Sequence, residues 1–139
     1  MDQKEFSEHI FQFLIKSFPE FIPTLKYGND NSFDCSLKSP SGQFGMWIAT
    51  YNSEITFGLE SPTGETDIHT HVSCDELDDL ANCLSDLATM INEVKTNKTI
   101  MYRNTADVYD WADYSQLIQI ERKKRVNFPK LFWSPSEFE

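Results

Sequence analysis

The stretch FGMWIATYNSEITFGLE, residues 44–60, decides the fold that the sequence predicts. Its two β-rich halves, residues 44–51 and 54–60, are joined by Asn52 and Ser53, and a two-residue polar linker between such runs indicates a hairpin. In the second half, apolar residues alternate with polar residues and glycine. This alternation predicts a core face of Ile55, Phe57 and Leu59 and a solvent face of Glu54, Thr56, Gly58 and Glu60.

Residues on both sides of this hairpin predict further strands and a first helix. Asp2 can cap a helix that Pro19 ends, because apolar residues recur at helical spacing between them. Residues 25–27 and 33–37 flank a Gly-Asn-Asp-Asn turn and predict a second hairpin. Residues 65–72 predict another strand, in which the side chains on successive positions alternate between the two faces.

The most regular helical pattern follows that strand. Ser73 and Glu76 predict a capping box at its start, with Val72 and Leu77 at the positions of a hydrophobic staple. The helix is expected to end near Asn97. Its predicted apolar stripe consists of Leu77, Leu80, Leu84, Leu87, Ile91 and Val94.

The last third is less regular. We predict a strand at residues 100–103, a turn or short helix at 106–114, and a longer, exposed edge strand at 117–126. The apolar residues of the tail are expected to dock on the body; they are Phe128, Leu131, Phe132, Trp133 and Phe138. The predicted fold is a single α+β domain over residues 1–139, with a mainly antiparallel sheet of five or six strands on which the N-terminal and central helices pack.

Charge is distributed unevenly along the chain. The formal net charge is −10, residues 39–94 contain no Lys or Arg, and ten Asp or Glu residues lie within 54–93. Such an acidic protein is not expected to bind DNA, RNA or an anionic membrane, because like charges would have to be desolvated together. The basic cluster at residues 122–125 is expected to pair with the acidic body or to protect an edge strand.

A field of one sign steers association with a partner of the opposite sign. We therefore predict a protein partner with a basic surface. The segment YDWADY, residues 109–114, mixes aromatic residues with acids, a composition that suits an interface. The predicted partner-binding residues are Glu54, Glu60, Glu65, Asp67, Asp75, Glu76, Asp78, Asp79, Tyr109 and Trp111.

Signs of enzymatic chemistry are few. His69 and His71 share a strand face with Asp67, and two imidazoles with a carboxylate can ligate zinc or iron. We favour the interpretation that they form a polar sheet face, because two neighbouring residues on the same face of one strand hold a metal ion only loosely. The three cysteines have no CxxC spacing and are expected to be buried free thiols. We predict no catalytic residues, no metal and no cofactor.

Targeting signals are not evident in the sequence. The first ten residues, MDQKEFSEHI, do not resemble a signal peptide, and no run approaches the roughly 18 apolar residues of a membrane span. The expected location is the cytoplasm.

The segments WIATYNSEITFG, residues 47–58, and DIHTH, residues 67–71, followed by a helix with an acidic start, resemble small immunity proteins of bacterial polymorphic or contact-dependent growth inhibition toxin systems. The resemblance covers about the middle third of the chain. It implies a cytoplasmic protein that binds and blocks a cognate toxin domain, often a nuclease with a basic surface. It assigns no binding residues.

Two other function classes remain open from the sequence. One is a metal- or ligand-binding enzyme that uses His69 and His71. The other is an acidic adaptor or secretion chaperone, which would leave its partner active. The sequence does not indicate an oligomeric state.

Overall fold

The computed structural model describes residues 1–65 and 67–134. Helix α1 (Gln3–Ser17) precedes five antiparallel strands that lie side by side in chain order: β1 (Lys26–Tyr27), β2 (Phe33–Lys38), β3 (Gly45–Ala49), β4 (Glu54–Glu60) and β5 (Ile68–Ser73). Then follow α2 (Leu80–Lys95), β6 (Thr99–Arg103), β7 (Tyr109–Asp113), α3 (Tyr114–Lys124) and β8 (Lys130–Leu131). Strands β6, β7 and β8 form a second, separate sheet, in which β6 lies between the other two. The predicted α+β fold is confirmed.

The start of α1 is capped as predicted. The Asp2 carboxylate accepts the backbone N–H of Glu5 at 2.8 Å, and the helix ends before Pro19. Its buried residues Phe6, Ile10 and Leu14 are one helical turn apart and face the core. The sequence pattern therefore located this helix correctly.

The central hairpin is also confirmed. Asn52 and Ser53 have positive φ angles of 57° and 53°, the backbone that a two-residue turn between twisted strands needs. The side-chain carbonyl of Gln3 accepts the Ser53 N–H at 2.8 Å, so the start of α1 supports this turn.

The main core lies on one face of the five-stranded sheet. Met46 and Ile48 of β3 are opposite Leu59 and Phe57 of β4, and all four are buried. Buried residues of both α1 and α2 join the same cluster. Each such side chain contributes roughly 1.5–3 kcal/mol relative to solvent exposure.

The opposite side of β4 is not solvated as predicted. Thr56 is 5% exposed and Gly58 is buried. Trp47 of β3 covers Gly58, and His71 of β5 is hydrogen-bonded to Thr56 at 2.9 Å. Side chains of the neighbouring strands therefore shield this face of β4 from solvent. The alternation of residues within one strand does not indicate which side chains its neighbours place over it.

The predicted capping box of the central helix is wrong. Ser73 belongs to β5, where it pairs with Glu54, so strand pairing holds the residue that was expected to cap the helix. The chain continues through a 3-10 turn, Leu77–Asp79, and α2 begins at Leu80 without a side-chain cap. Leu77 is 56% exposed, which excludes it from both the staple and the apolar stripe. The other predicted stripe residues are buried or partly buried: Leu80, Leu84, Leu87, Ile91 and Val94.

The predicted strand at 117–126 is wrong as well, because this segment forms α3. Asp113 caps the helix by accepting the Gln116 N–H at 3.1 Å, and Leu117 and Glu121 are buried one turn apart. The basic residues 122–125 are exposed at its C-terminal end, where positive charge complements the helix dipole. Among the described residues, none of the four is in an ion pair, so the expected pairing with the acidic body is also wrong.

Part of the segment predicted as a turn or short helix, residues 106–114, forms β7 instead. The predicted strand at 100–103 is confirmed as β6, and the tail docks on the body as expected. Phe132 packs with Ile100 and Leu117 in a second, smaller core, and Trp133 meets Phe44 with 5.5 Å between ring centroids. Phe138 lies outside the described residues.

Candidate acidic and aromatic site on strands β3 to β5

Eight predicted partner-binding acids lie at the two ends of the β4–β5 pair. Glu60 ends β4 beside the pair of Leu59 with Ile68, and Asp67 directly precedes β5. Glu54 is opposite Ser73 at the other end. Because β5 has six residues, the two ends are about 20 Å apart. The first group, which we call the β5-start acids, is Glu60, Glu65 and Asp67; the second, the β5-end acids, is Glu54, Asp75, Glu76, Asp78 and Asp79.

These acids are open to solvent and have no Lys or Arg ion-pair partner among the described residues. Glu54 and Glu60 are half-buried, and the other six are exposed. Within residues 1–65 and 67–134, no Lys or Arg forms an ion pair with any of the eight. The described Lys and Arg ion pairs involve five other acids: Glu20, Glu93, Asp107, Asp113 and Glu121. The stretch that contains all eight acids, residues 39–94, has no Lys or Arg of its own.

Between the two acid groups, aromatic rings lie on the outer face of the sheet. The Trp47 ring and the His69 ring are 5.9 Å apart, and the His69 and His71 rings are 4.9 Å apart in an edge-to-face arrangement. A Cβ atom on Gly58 would stand 2.6 Å from Cε2 and Nε1 of Trp47. Glycine at position 58 thus lets the indole lie flat on the backbone of β4.

One polar atom in this face is unsatisfied. Among the described residues, the buried Nε1 of Trp47 has no hydrogen-bond partner. A buried donor without a partner costs about 1–3 kcal/mol. The tight fit over Gly58 holds the indole in this position despite the cost.

The histidine pair is held by neighbours on the same face. His71 Nδ1 lies 2.9 Å from Thr56 Oγ1 and 2.9 Å from Glu54 Oε1, so it links the strand face to the β5-end acids. Across the described part of the chain, no three His, Cys, Asp or Glu side chains are grouped so that they could hold a metal ion. His69 and His71 can contribute hydrogen bonds and ring contacts to a partner.

Tyr109 and Trp111, the two aromatic residues among the predicted partner-binding residues, lie on the other side of the sheet. Trp111 of β7 stacks on Phe57 with 6.2 Å between ring centroids and 20° between ring planes. Tyr109, on the same face of β7, packs partly against the main core, and the Arg103 guanidinium lies 5.9 Å from its ring. The structure therefore separates Tyr109 and Trp111 from the ring cluster around Trp47.

Trp111 instead lines a groove that the sequence did not predict. The groove has a volume of about 340 Å³ and runs between the sheet, α2 and β7. Thr70 of β5 and Met90 of α2 line it together with Phe57 and Trp111. No local pattern could reveal it, because its walls come from five separate elements, β4, β5, α2, β6 and β7.

All three thiols are buried, and the pKa values of Cys35 and Cys83 are raised. Burial raises the pKa of Cys35 to about 12, with a further contribution from Asp34. Burial, the neighbouring Cys74 thiol and the acids Asp79 and Asp86 raise the pKa of Cys83 to about 12. The predicted buried free thiols are confirmed, and Cys35 and Cys83 are therefore weak nucleophiles.

The fold and the site define a small α+β protein with an acidic surface around β4 and β5 that no described Lys or Arg pairs with. Comparison with models of protein families, with curated proteins and with solved structures finds no match. None of the helices formed by the described residues is long and apolar enough to cross a lipid bilayer. A functional assignment therefore depends on the charges and contacts of the chain itself.

Proposed function

We propose that this chain is an immunity protein, which binds a cognate bacterial toxin domain in the cytoplasm and neutralises it. The observation that carries the proposal is the uneven distribution of charge, because residues 39–94 contain no Lys or Arg. Eight acids surround β4 and β5 without a described Lys or Arg partner. The ion pairs that the described Lys and Arg residues form involve other acids. The resemblance of residues 47–58 and 67–71 to immunity proteins supports the same function.

The acidic surface acts on both the rate and the specificity of binding. A field of one sign raises the association rate of a partner of opposite sign and disfavours acidic partners. Aromatic residues with packed rings, here Trp47 and His69, supply contact area that a charged rim alone lacks. A nuclease is the toxin class that this surface suits, because an enzyme that binds nucleic acid presents a basic face.

Co-expression with candidate toxin domains, taken first from any large protein encoded beside the gene of this chain, tests the proposal. We expect cells that express the domain alone to stop growing, and cells that also express this chain to survive and to yield a complex on purification. If cells that express the domain alone survive, or if no complex forms, the immunity function is excluded. A stable complex in which the domain remains active would identify an adaptor or secretion chaperone instead.

A further inference from the structure

Strand β5 is an open edge of the main sheet. It pairs with β4 on one side, and among the described residues no strand pairs with its other side. Unpaired edges attract foreign strands, and proteins protect them by shortening them or by occupying their polar groups. The opposite edge, β1, has two residues, and in β7 the Asp110 carboxylate accepts the Trp111 N–H at 2.8 Å. β5 has six residues and contains neither Lys nor Pro.

The groove lies directly beneath this edge. Thr70, in the middle of β5, is half-buried and lines the groove together with Met90 and Trp111. Side chains of a strand alternate between the two faces of a sheet. A strand added beside β5 would therefore direct alternate side chains into the groove and the others toward His69 and His71.

The acids at the two ends of β5 specify the charge of such a strand. The β5-start acids and the β5-end acids are about 20 Å apart, which matches an extended segment of about six residues. Lys or Arg near each end of that segment would meet opposite charge, while apolar side chains would enter the groove between Phe57 and Met90.

We infer that the partner adds an extended segment of its own chain to β5, with apolar side chains in the groove and basic residues at both ends. This inference rests on the proposed function, because the segment belongs to the toxin domain. Backbone hydrogen bonds to β5 supply affinity, and the groove and the two acid groups select the sequence. The inhibitor therefore holds the toxin through its main chain as well as through charge.

Amide hydrogen exchange of the complex, measured residue by residue by NMR, tests the inference with the toxin domain from the neighbouring gene. In the free chain the outward N–H groups of β5 should exchange quickly. In the complex, these alternate amides within Ile68–Ser73 should exchange more than a hundredfold more slowly. A complex that rescues cells but leaves these amides unchanged would overturn strand addition while the proposed function stands. Failure to form a complex at all would remove both.

Two variants at one position give an independent measurement. Thr70→Lys places a charge on the groove side of the edge strand and should weaken binding at least tenfold. Thr70→Val keeps the branched side chain without adding a charge and should bind within about twofold of the original protein. Equal affinity of both variants would contradict a partner segment in the groove. The melting temperatures of the free variants show whether a loss of affinity results from a loss of stability.

Discussion

The indole of Trp47 lies closely against the backbone of Gly58. A Cβ atom at position 58 would stand 2.6 Å from Cε2 and Nε1 of the ring and 2.7 Å from the carbonyl oxygen of Ile68. Gly58→Ala must therefore displace the ring or the neighbouring strand. We expect a loss of about 1–3 kcal/mol in the free energy of unfolding, because overpacking forces side chains and backbone to shift. Urea denaturation measures this loss.

Gly28→Ala is the matched control for that substitution. The nearest neighbour of the added Cβ would be Asp30 Oδ1 at 3.2 Å, which accepts hydrogen bonds from Ser32 and has to shift only slightly, and the other atoms lie at 3.8 Å. The loss at position 28 should stay below about 1 kcal/mol. If the two variants were equally stable, the contact between Trp47 and Gly58 would not be tight in solution.

The ion pair of Glu121 with Lys130 joins α3 to β8. Lys130 Nζ and the Phe128 N–H both donate to Glu121 Oε2 at 2.7 Å, and the two charged side chains are 9% and 13% exposed. Glu121→Ala leaves the ammonium group poorly solvated and without its partner. We expect a loss of roughly 3 kcal/mol in the free energy of unfolding, measured by chemical denaturation.

Two controls separate the burial of this pair from its charge. Replacing both residues by Met should cost less than Glu121→Ala, because no buried charge is then left unpaired. Lys98→Met removes an exposed pair with Asp113 and should cost less than about 1 kcal/mol. Similar losses in all three variants would show that the Glu121 pair is no stronger than a surface contact.

The Asp113 carboxylate gives the protein a pH dependence of known sign. Hydrogen bonds from the Ser115 hydroxyl, the Gln116 N–H and the Lys98 ammonium lower its pKa from 3.8 to about 2. A pKa that is lower in the folded state stabilises the protein above pH 4, and this contribution disappears as the pH falls from about 4 to 2. Asp113→Asn should therefore be less stable than the original protein at pH 6, and the difference should shrink toward pH 2. A difference that is constant with pH would exclude this linkage.

Sequence patterns predicted correctly those features that depend on residues close together in the chain. The Asp2 cap and the Asn52 and Ser53 turn depend on neighbouring residues in the chain, and both are present. The solvent face predicted for β4 is absent, because side chains of the neighbouring strands cover it. The start of α2 was misplaced, because Ser73 is held by pairing with Glu54, nineteen positions away. The pattern of residues 117–126 is compatible with a strand or a helix, and the Asp113 cap and the buried positions of Leu117 and Glu121 favour the helix.

The candidate site was predictable as a composition and not as a geometry. The acidic run was evident from residues 54–79 alone, and the structure places those acids at two ends of one strand. The cover that Trp47 gives to Gly58 depends on the register between β3 and β4. The groove depends on β7, a strand that the sequence did not reveal. Contacts between distant segments require knowledge of register and packing, which a single sequence does not encode locally.

Charge reversal at the β5-end acids tests the electrostatic part of the proposed interface. Asp78→Lys with Asp79→Lys should lower the association rate with the toxin domain by about tenfold and flatten its dependence on salt, because steering depends on a field of one sign. Glu5→Lys with Glu8→Lys changes the net charge equally at exposed positions of α1 that belong to neither acid group. Stopped-flow association at low and high ionic strength compares the two pairs. Equal effects would assign the steering to net charge, and a larger effect at Asp78 and Asp79 assigns it to the end of β5.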